Sequence, residues 1–184
     1  MKRTISLFFA LVLALSAVCG ASAAEKTFTT PYFTLILPSG WVVDTSEADS
    51  AADEDGMQFL GLFYENKATG MVVEACLALY EELSDISLWN SDEAELKAYA
   101  ESVMEDLEDD DPEYLGVVMV GKIPFVLFKA TDEDGEYLYA DTMTNGNAII
   151  LLAYVEDEKE ESRPVTKQYI EQFKSILETF QPVS

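Results

Sequence analysis

Histidine is absent from the 184-residue sequence, and cysteine occurs only twice. Without histidine, the chain cannot build the Ser-His and Cys-His pairs that activate nucleophiles, nor zinc sites that use histidine. Neither G-x-x-x-x-G-K-S/T nor G-x-G-x-x-G, the glycine-rich motifs that bind phosphates, occurs. A pair of carboxylates can catalyse the hydrolysis of glycosides. Because a chain with 35 aspartates and glutamates contains such pairs by chance, they are not evidence for a glycosidase. The sequence therefore predicts a protein that is not an enzyme and uses no cofactor, with an unrecognised hydrolase as an alternative.

Basic residues are also scarce, with 11 lysines and arginines against 35 aspartates and glutamates. The formal net charge of −24 at pH 7 repels phosphate backbones and anionic lipids, so nucleic acids and membrane surfaces are not expected as partners. The same charge favours cations and basic protein surfaces, although an acidic surface can also serve solubility alone.

Long apolar runs are limited to one, at residues 5–18. A basic pair precedes the run, and the small residues of "CGASAAE" follow it, which is the three-part pattern of a secretory signal peptide. Cleavage is expected after Ala23 or Ala24, with residues 1–24 as the signal peptide. We therefore expect export across the inner membrane, to the periplasm or the extracellular space.

Two alternatives concern this N-terminal segment. An uncleaved membrane anchor needs about 20 apolar residues, and the run is shorter than that. Lipoprotein processing at Cys19 needs a small residue before the cysteine, where Val18 stands. After cleavage, residues 25–184 are predicted to form a single domain without an integral membrane segment. Cys76 is then the one remaining cysteine, and its place in a strand-like run favours a buried, unreactive side chain.

The rest of the pattern predicts a sheet. Residues 33–37 alternate as a strand, and hairpins are predicted around "NKATG", the second "DEDG" and "NGN". The runs "PFVLF" and "AIILLAYV" are apolar without alternation, which is typical of strands buried on both faces. With the two helices below, we expect an α+β fold, a three-layer α/β/α sandwich with a largely antiparallel central sheet.

Two amphipathic segments are predicted to be the helices that cover this sheet. The first begins near Asn90 or Ser91, either of which can cap it. The second begins near Ser162, which can cap it, with Pro164 in the first turn. Their apolar stripes are Leu96, Tyr99, Ala100, Val103 and Leu107 in the first, and Tyr169, Phe173, Ile176, Leu177 and Phe180 in the second.

The N-terminal strand carries a resemblance to a known family. Residues 28–41 read F-x-x-P-Y-F-T-L-x-L-P-S-G-W, and a helix ending in "FKSILETF" closes the chain. This pattern resembles the PsbP-like family and related small exported bacterial domains of unknown function. The matching residues are Phe28, Tyr32, Phe33, Leu35, Leu37, Pro38, Gly40 and Trp41.

The resemblance implies the same α/β/α sandwich and a mostly non-enzymatic set of relatives. Photosynthetic members bind the lumenal face of photosystem II and help to retain calcium and chloride there, and a nuclear-import relative binds the Ran GTPase. The histidines of the photosynthetic members have no counterpart in this sequence. No metal-binding motif of the family therefore transfers to this chain.

The motif "DEDG" occurs at residues 53–56 and 132–135. An EF-hand calcium loop needs an acidic ligand at its first position. When each glycine is aligned with the glycine of such a loop, the first position is Ala51 in one copy and Ala130 in the other. Neither copy is an EF-hand, and both are predicted to be turns.

Clustered carboxylates give a weaker indication of a metal site. They repel one another, and a divalent cation such as calcium relieves that repulsion. The weak candidate ligands are Glu108, Asp109, Asp110, Asp111, Asp132 and Asp134.

Aromatic residues provide the last candidate surface. Trp41 and Trp89, with Tyr137 and Tyr139 on one face of a strand, can line a ligand groove or a partner surface, or can pack in the core. Taken together, the sequence predicts an exported, non-catalytic binding domain of the bacterial cell envelope that engages a protein partner. The alternative is an exported protein that binds a divalent cation or a small ligand.

Overall fold

The computed structural model of the protein describes residues 26–53, 56–65, 70–80, 86–156 and 163–183. The predicted signal peptide and its cleavage site lie outside these residues. Within them the chain forms ten strands, two α-helices and one 3-10 helix. In chain order these are β1 (Lys26–Thr29), β2 (Phe33–Leu37), β3 (Val42–Asp44), β4 (Met57–Tyr64), β5 (Met71–Leu79), α1 (Glu93–Asp106), the 3-10 helix (Glu108–Asp110), β6 (Glu113–Val120), β7 (Ile123–Thr131), β8 (Glu136–Thr144), β9 (Asn147–Val155), α2 (Lys167–Leu177) and β10 (Gln181–Pro182).

The strands form two antiparallel sheets. Seven strands make the large sheet, in the order β3-β4-β5-β9-β8-β7-β6, and the small sheet has the order β1-β2-β10. The strands that flank the three predicted hairpins are neighbours in the large sheet, and residues 66–69 of the first turn lie outside the described residues. Between β8 and β9, Asn145 and Gly146 have φ angles of 51° and 73°, as a tight two-residue hairpin turn requires.

Side chains alternate along β7, and this alternation separates two hydrophobic clusters. Phe125 and Leu127 belong to one cluster, whereas Val126 and Phe128 belong to the other. Because successive strand residues point to opposite faces, the two clusters lie on opposite faces of the large sheet. All four side chains are fully buried, which confirms that the run "PFVLF" is covered on both faces.

Each helix packs into one of these clusters. α1 adds Leu96, Ala100 and Val103 to the cluster of Phe128. α2 adds Phe173, Ile176 and Leu177 to the cluster of Phe125, together with residues of the small sheet. The α+β class and the antiparallel sheet are confirmed. The complete three-layer α/β/α sandwich is not, because the described residues contain two helices and α2 shares its side with the small sheet.

Neither α1 nor α2, the two α-helices in the described ranges, is long and apolar enough to cross a membrane.

Both helices begin later than the sequence predicts. Asp92 caps α1, because its Oδ1 accepts the N–H groups of Ala94 at 2.9 Å and Glu95 at 3.0 Å, while Glu95 accepts the Asp92 N–H. This reciprocal capping box is the reason that the prediction of Asn90 or Ser91 was wrong. α2 begins after Thr166, so the placement of Pro164 in its first turn was also wrong. The predicted cap at residue 162 lies outside the described residues.

Candidate functional site

An open cleft of about 650 Å³ lies on the α1 side of the large sheet. The neighbouring strands β8 and β9 form its floor, and Leu107, which follows α1, also lines it. We call this the tyrosine cleft. Its lining residues are Glu74, Leu107, Asp132, Asp134, Gly135, Glu136, Tyr137, Tyr139, Leu152, Tyr154 and Glu156.

Strand register places the tyrosines side by side on the floor of the cleft. Tyr137 of β8 is paired with Tyr154 of β9, and Tyr139 is paired with Leu152. Residues two apart in a strand share a face, so these four side chains lie on the α1 side of the sheet. On the other edge of β9, Glu74 of β5 is paired with the same Leu152. Three adjacent antiparallel strands therefore bring the floor residues together.

Two of the tyrosine hydroxyls are held by carboxylates. Tyr154 donates to Glu74 Oε1 at 2.8 Å, and Tyr137 donates to Asp110 Oδ2 at 2.6 Å. Burial raises the pKa of each tyrosine above its usual range, and the hydrogen bond to the carboxylate raises it further. Both hydroxyls therefore stay protonated and act as donors at physiological pH.

The charge of the cleft is negative. Its lining contains five carboxylates, and no lysine or arginine is among the described residues that line it. Glu136 is paired with Lys129 at 2.7 Å and accepts the Val165 N–H at 2.7 Å. The hydrogen bond from Lys129 is the main reason that the pKa of Glu136 is lowered. Carboxylates and tyrosine rings both attract cationic groups, and the lining of the cleft brings the two kinds of side chain together.

Next to the cleft floor, on the same face of the sheet, Asp141 of β8 is a carboxylate that is only 1% exposed. Tyr99 of α1 donates to its Oδ2 at 2.5 Å, and Tyr139 of the cleft floor donates to the same oxygen at 3.3 Å. Its Oδ1 is buried without a hydrogen-bond partner among the described residues. Burial raises the pKa of Asp141 to about 7, although the two hydroxyl donors favour the ionised form. This trio connects α1 to the cleft floor.

The second "DEDG" copy is a turn, as predicted. Asp132 Oδ1 accepts the N–H groups of Asp134 at 2.8 Å and Gly135 at 2.9 Å, and the turn joins β7 to β8. It brings Asp132 and Asp134 to the lining of the cleft. In the first copy, Asp53 Oδ1 accepts a backbone N–H at the start of β4 at 2.9 Å, and residues 54–55 lie outside the described residues.

The remaining candidate metal ligands follow α1. Glu108, Asp109 and Asp110 form the 3-10 helix, and Asp111 comes next in a left-handed conformation. Asp110 supports the cleft by accepting the Tyr137 hydroxyl. Within the described ranges, no group of three or more aspartate, glutamate or cysteine side chains is arranged to hold a metal ion. Divalent-cation binding therefore stays a prediction.

Of the aromatic candidates, Trp41 is 1% exposed in the core, and Trp89 is half-buried against the cluster of Phe125. Of the four aromatic residues singled out in the sequence, Tyr137 and Tyr139 line the cleft. Among the residues of the site that were not predicted from the sequence are Glu74, Tyr154 and Asp141. The sequence contained one indication of Glu74 and Asp141. Each is an acidic residue flanked by apolar and polar uncharged residues within a predicted strand, where a carboxylate without a charged partner is unusual.

No protein-family model matches the chain, and no curated protein matches it. Among solved structures, the solution structure of cyanobacterial PsbP (CyanoP) from Synechocystis sp. PCC 6803 covers 90% of this chain and 97% of its own, with 13% identity and a TM-score of 0.45. A crystal structure of a protein from Bacteroides thetaiotaomicron VPI-5482 covers 87% of this chain at 13% identity and a TM-score of 0.44, and this chain spans 49% of that protein. The sequence resemblance and the first of these structures are both PsbP-like. This likeness concerns the fold and does not extend to what the chain binds.

Proposed function

We propose that the protein is an exported, non-catalytic binding domain of the bacterial cell envelope, and that its tyrosine cleft binds a basic segment of a protein partner. The observation that carries the proposal is the composition of the cleft. Three tyrosines and five carboxylates line it, and the described lining residues include no lysine or arginine. A cationic segment is the protein surface that complements this lining.

Two electrostatic effects support a basic partner. The net charge of −24 accelerates the approach of a cationic surface from a distance. Within the cleft, the apolar parts of Tyr139 and Leu152 reduce local screening by water and strengthen the attraction to nearby carboxylates. The volume of about 650 Å³ lies within the usual range for ligand sites, about 300–1,000 Å³. The cleft is therefore large enough for one or two long side chains of a partner.

We propose further that residues 25–184 form one domain, in which α1, the large sheet, and α2 with the small sheet are three layers. The two hydrophobic clusters on opposite faces of the large sheet support this arrangement. The cleft then lies where α1 leaves its face of the sheet uncovered. A partner segment can reach this region without displacing either helix.

A basic peptide tests the proposed function. An unstructured, labelled peptide of arginine, lysine, glycine and serine is titrated with the mature protein, and fluorescence anisotropy is recorded. We expect saturable binding that weakens as sodium chloride rises from about 20 to about 200 mM, because salt screens the charges. Glu74→Gln should weaken binding about three- to tenfold, since this carboxylate is one of the five that line the cleft.

Glu178→Gln is the matched control, because it removes one exposed carboxylate just after α2, on the other side of the sheet. The control should bind within about twofold of the wild type, as expected for a distant surface charge. Equal effects of the two substitutions would mean that net charge, not the cleft, attracts the peptide. That result, or the absence of any binding by the wild type, would overturn the proposed function.

Export is tested separately by mass spectrometry of the chain expressed with its own N-terminal segment. We expect the mature protein to begin at Ala24 or Glu25, in the fraction outside the inner membrane. A cytoplasmic chain that keeps residues 1–24 would contradict this part of the proposal.

A further inference from the structure

We propose that the cleft seats an arginine side chain of the basic partner segment between Tyr137 and Tyr154. This inference rests on the proposed function and deepens it, because it names the partner's anchoring residue and the two rings that receive it.

The two tyrosines are paired across β8 and β9, but their hydroxyls reach in opposite directions. The sheet order around them is β5-β9-β8-β7-β6. Tyr154 on β9 reaches Glu74 on the adjacent β5, whereas Tyr137 on β8 reaches Asp110, which precedes β6. The side chains therefore diverge from neighbouring positions. Both tyrosines line the cleft together with Tyr139 and Leu152, the next pair along the same face of the two strands.

Hydrogen bonds of the two hydroxyls order the tyrosine rings before a ligand binds. Each ring is fixed at its backbone and at its hydroxyl, through hydrogen bonds of 2.8 Å for Tyr154 and 2.6 Å for Tyr137. A ring that is already ordered loses less rotamer freedom when a ligand binds. Both side chains remain half-buried, so part of each ring is open to the cleft. Binding therefore does not require the rings to be freed from the core.

Arginine fits this seat better than lysine for two reasons. Its planar guanidinium stacks on tyrosine faces, whereas an ammonium is a compact and more strongly hydrated charge. Its five N–H donors can also reach carboxylates beside the rings while the plane stays stacked. Glu74 and Asp110 each accept one tyrosine hydroxyl, and a carboxylate offers about four acceptor sites. Acceptor capacity therefore remains at Glu74, which lines the cleft, whereas Asp110 is not among the lining residues.

Three labelled peptides of identical length test the inference on the mature protein. Their cationic positions carry only arginine, only lysine, or the uncharged arginine analogue citrulline. We expect the arginine peptide to bind about threefold or more tightly than the lysine peptide, and the citrulline peptide to lose most of the affinity. Tyr154→Leu and Tyr137→Leu should each weaken the arginine peptide about fivefold, the size of a partly desolvated cation–π contact.

Tyr154→Phe keeps the ring but loses the hydrogen bond to Glu74 that helps to order it, so it should weaken the arginine peptide by about twofold, less than Tyr154→Leu does. Tyr169→Leu is the matched control, because Tyr169 packs against the cluster of Phe125 on the other face of the sheet. Urea unfolding of each variant verifies that it is folded at the assay temperature. If the leucine variants fail to fold, Tyr154→Gln and Tyr137→Gln, which also remove the ring at these half-buried positions, decide the seat, and the peptide series decides the assignment of arginine.

The outcomes separate this inference from the proposed function. If the arginine peptide binds the wild type but both leucine variants bind it equally well, the seat is wrong and the basic partner stands. If the lysine peptide binds as tightly as the arginine peptide, the assignment of arginine is wrong. If no cationic peptide binds the wild type, the proposed function itself fails.

Discussion

Replacing Asp141 with asparagine is expected to change how the stability of the protein depends on pH. The carboxyl group is 1% exposed, and burial raises its pKa from 3.8 to about 7. Between these two values, the folded chain holds a proton that the unfolded chain has released. Folding stability therefore falls as pH rises through this window, and the full penalty is present above about pH 7.

The magnitude follows from the two pKa values of Asp141. At about 1.4 kcal/mol per pH unit, the interval from 3.8 to about 7 corresponds to a penalty of about 4 kcal/mol at high pH. Between pH 5 and pH 8, the part of this penalty that develops is about 2–3 kcal/mol. Asparagine does not ionise and escapes the penalty. In the variant, the amide N–H₂ group takes the place of Oδ1, which has no hydrogen-bond partner among the described residues. The unpaired donor lowers the free energy of unfolding by about 1–3 kcal/mol at every pH.

The assay is urea unfolding at several pH values from 5 to 8, monitored by the fluorescence of the two tryptophans, the buried Trp41 and the half-buried Trp89. Urea is preferred to guanidinium chloride, because the salt would screen the charges of this acidic chain. The free energy of unfolding of Asp141→Asn, relative to the wild type, should rise by about 2–3 kcal/mol between pH 5 and pH 8. Glu178→Gln controls for the loss of one negative charge. Parallel pH profiles for the wild type and Asp141→Asn would refute the reasoning.

Three further predictions concern the scaffold. Phe173→Ala should lower the free energy of unfolding by about 3–5 kcal/mol, because the side chain is fully buried, and a loss below about 1 kcal/mol would contradict its place in the core. Asp92→Ala should cost about 1 kcal/mol in the same urea assay, whereas Asp109→Ala, outside any cap, should cost much less. Cys76 should react slowly with iodoacetamide at pH 8 until the chain unfolds, because burial raises the pKa of its thiol to about 11, and rapid labelling of the folded protein would exclude this.

The large sheet and the two helices could be predicted from their apolar residues, which form unbroken or alternating runs in the strands and stripes in the helices. The strand "PFVLF" and the stripe of Phe173, Ile176 and Leu177 report burial directly in the sequence. β1 and β10 could not be predicted in this way, because four and two residues are too few to show a period. Both strands form by pairing with β2. Just before β10, the Thr179 hydroxyl also bonds to β2, because it accepts the Ile36 N–H at 2.9 Å and donates to the Ile36 carbonyl at 3.1 Å.

Helix boundaries were harder to predict than the helices themselves. Asn90, Ser91 and Asp92 are all good N-cap residues, so composition alone does not choose between them. The choice of Asp92 depends on Glu95, which completes the capping box three residues later. Asn90 instead adopts a left-handed conformation before the helix, with a φ of 73°. The reciprocal hydrogen bonds, rather than the propensity of one residue, decide where α1 begins.

The candidate site could not be predicted because it depends on where α1 stops covering the large sheet. Along the helix-facing side of β8, Met143 and Asp141 are buried, and Tyr139 and Tyr137 beyond them are half-buried. β9 shows the same change from Ile150 to its later residues Leu152 and Tyr154. No local pattern in either strand encodes this limit, since it is set by the C-terminal end of a helix that is distant in sequence.

Tyrosine suits the positions at this limit because its ring can pack on the covered part of the sheet while its hydroxyl remains hydrogen-bonded. Tyr139 lies at the boundary itself, since its hydroxyl reaches the buried Asp141 and its ring lines the cleft. Tyr99 ties α1 to the same carboxylate. The end of the helix, the buried acid and the cleft floor are therefore one connected structure. A ligand that orders the cleft floor should also strengthen the attachment of α1, and hydrogen exchange of the α1 amides with and without the arginine peptide would measure this coupling.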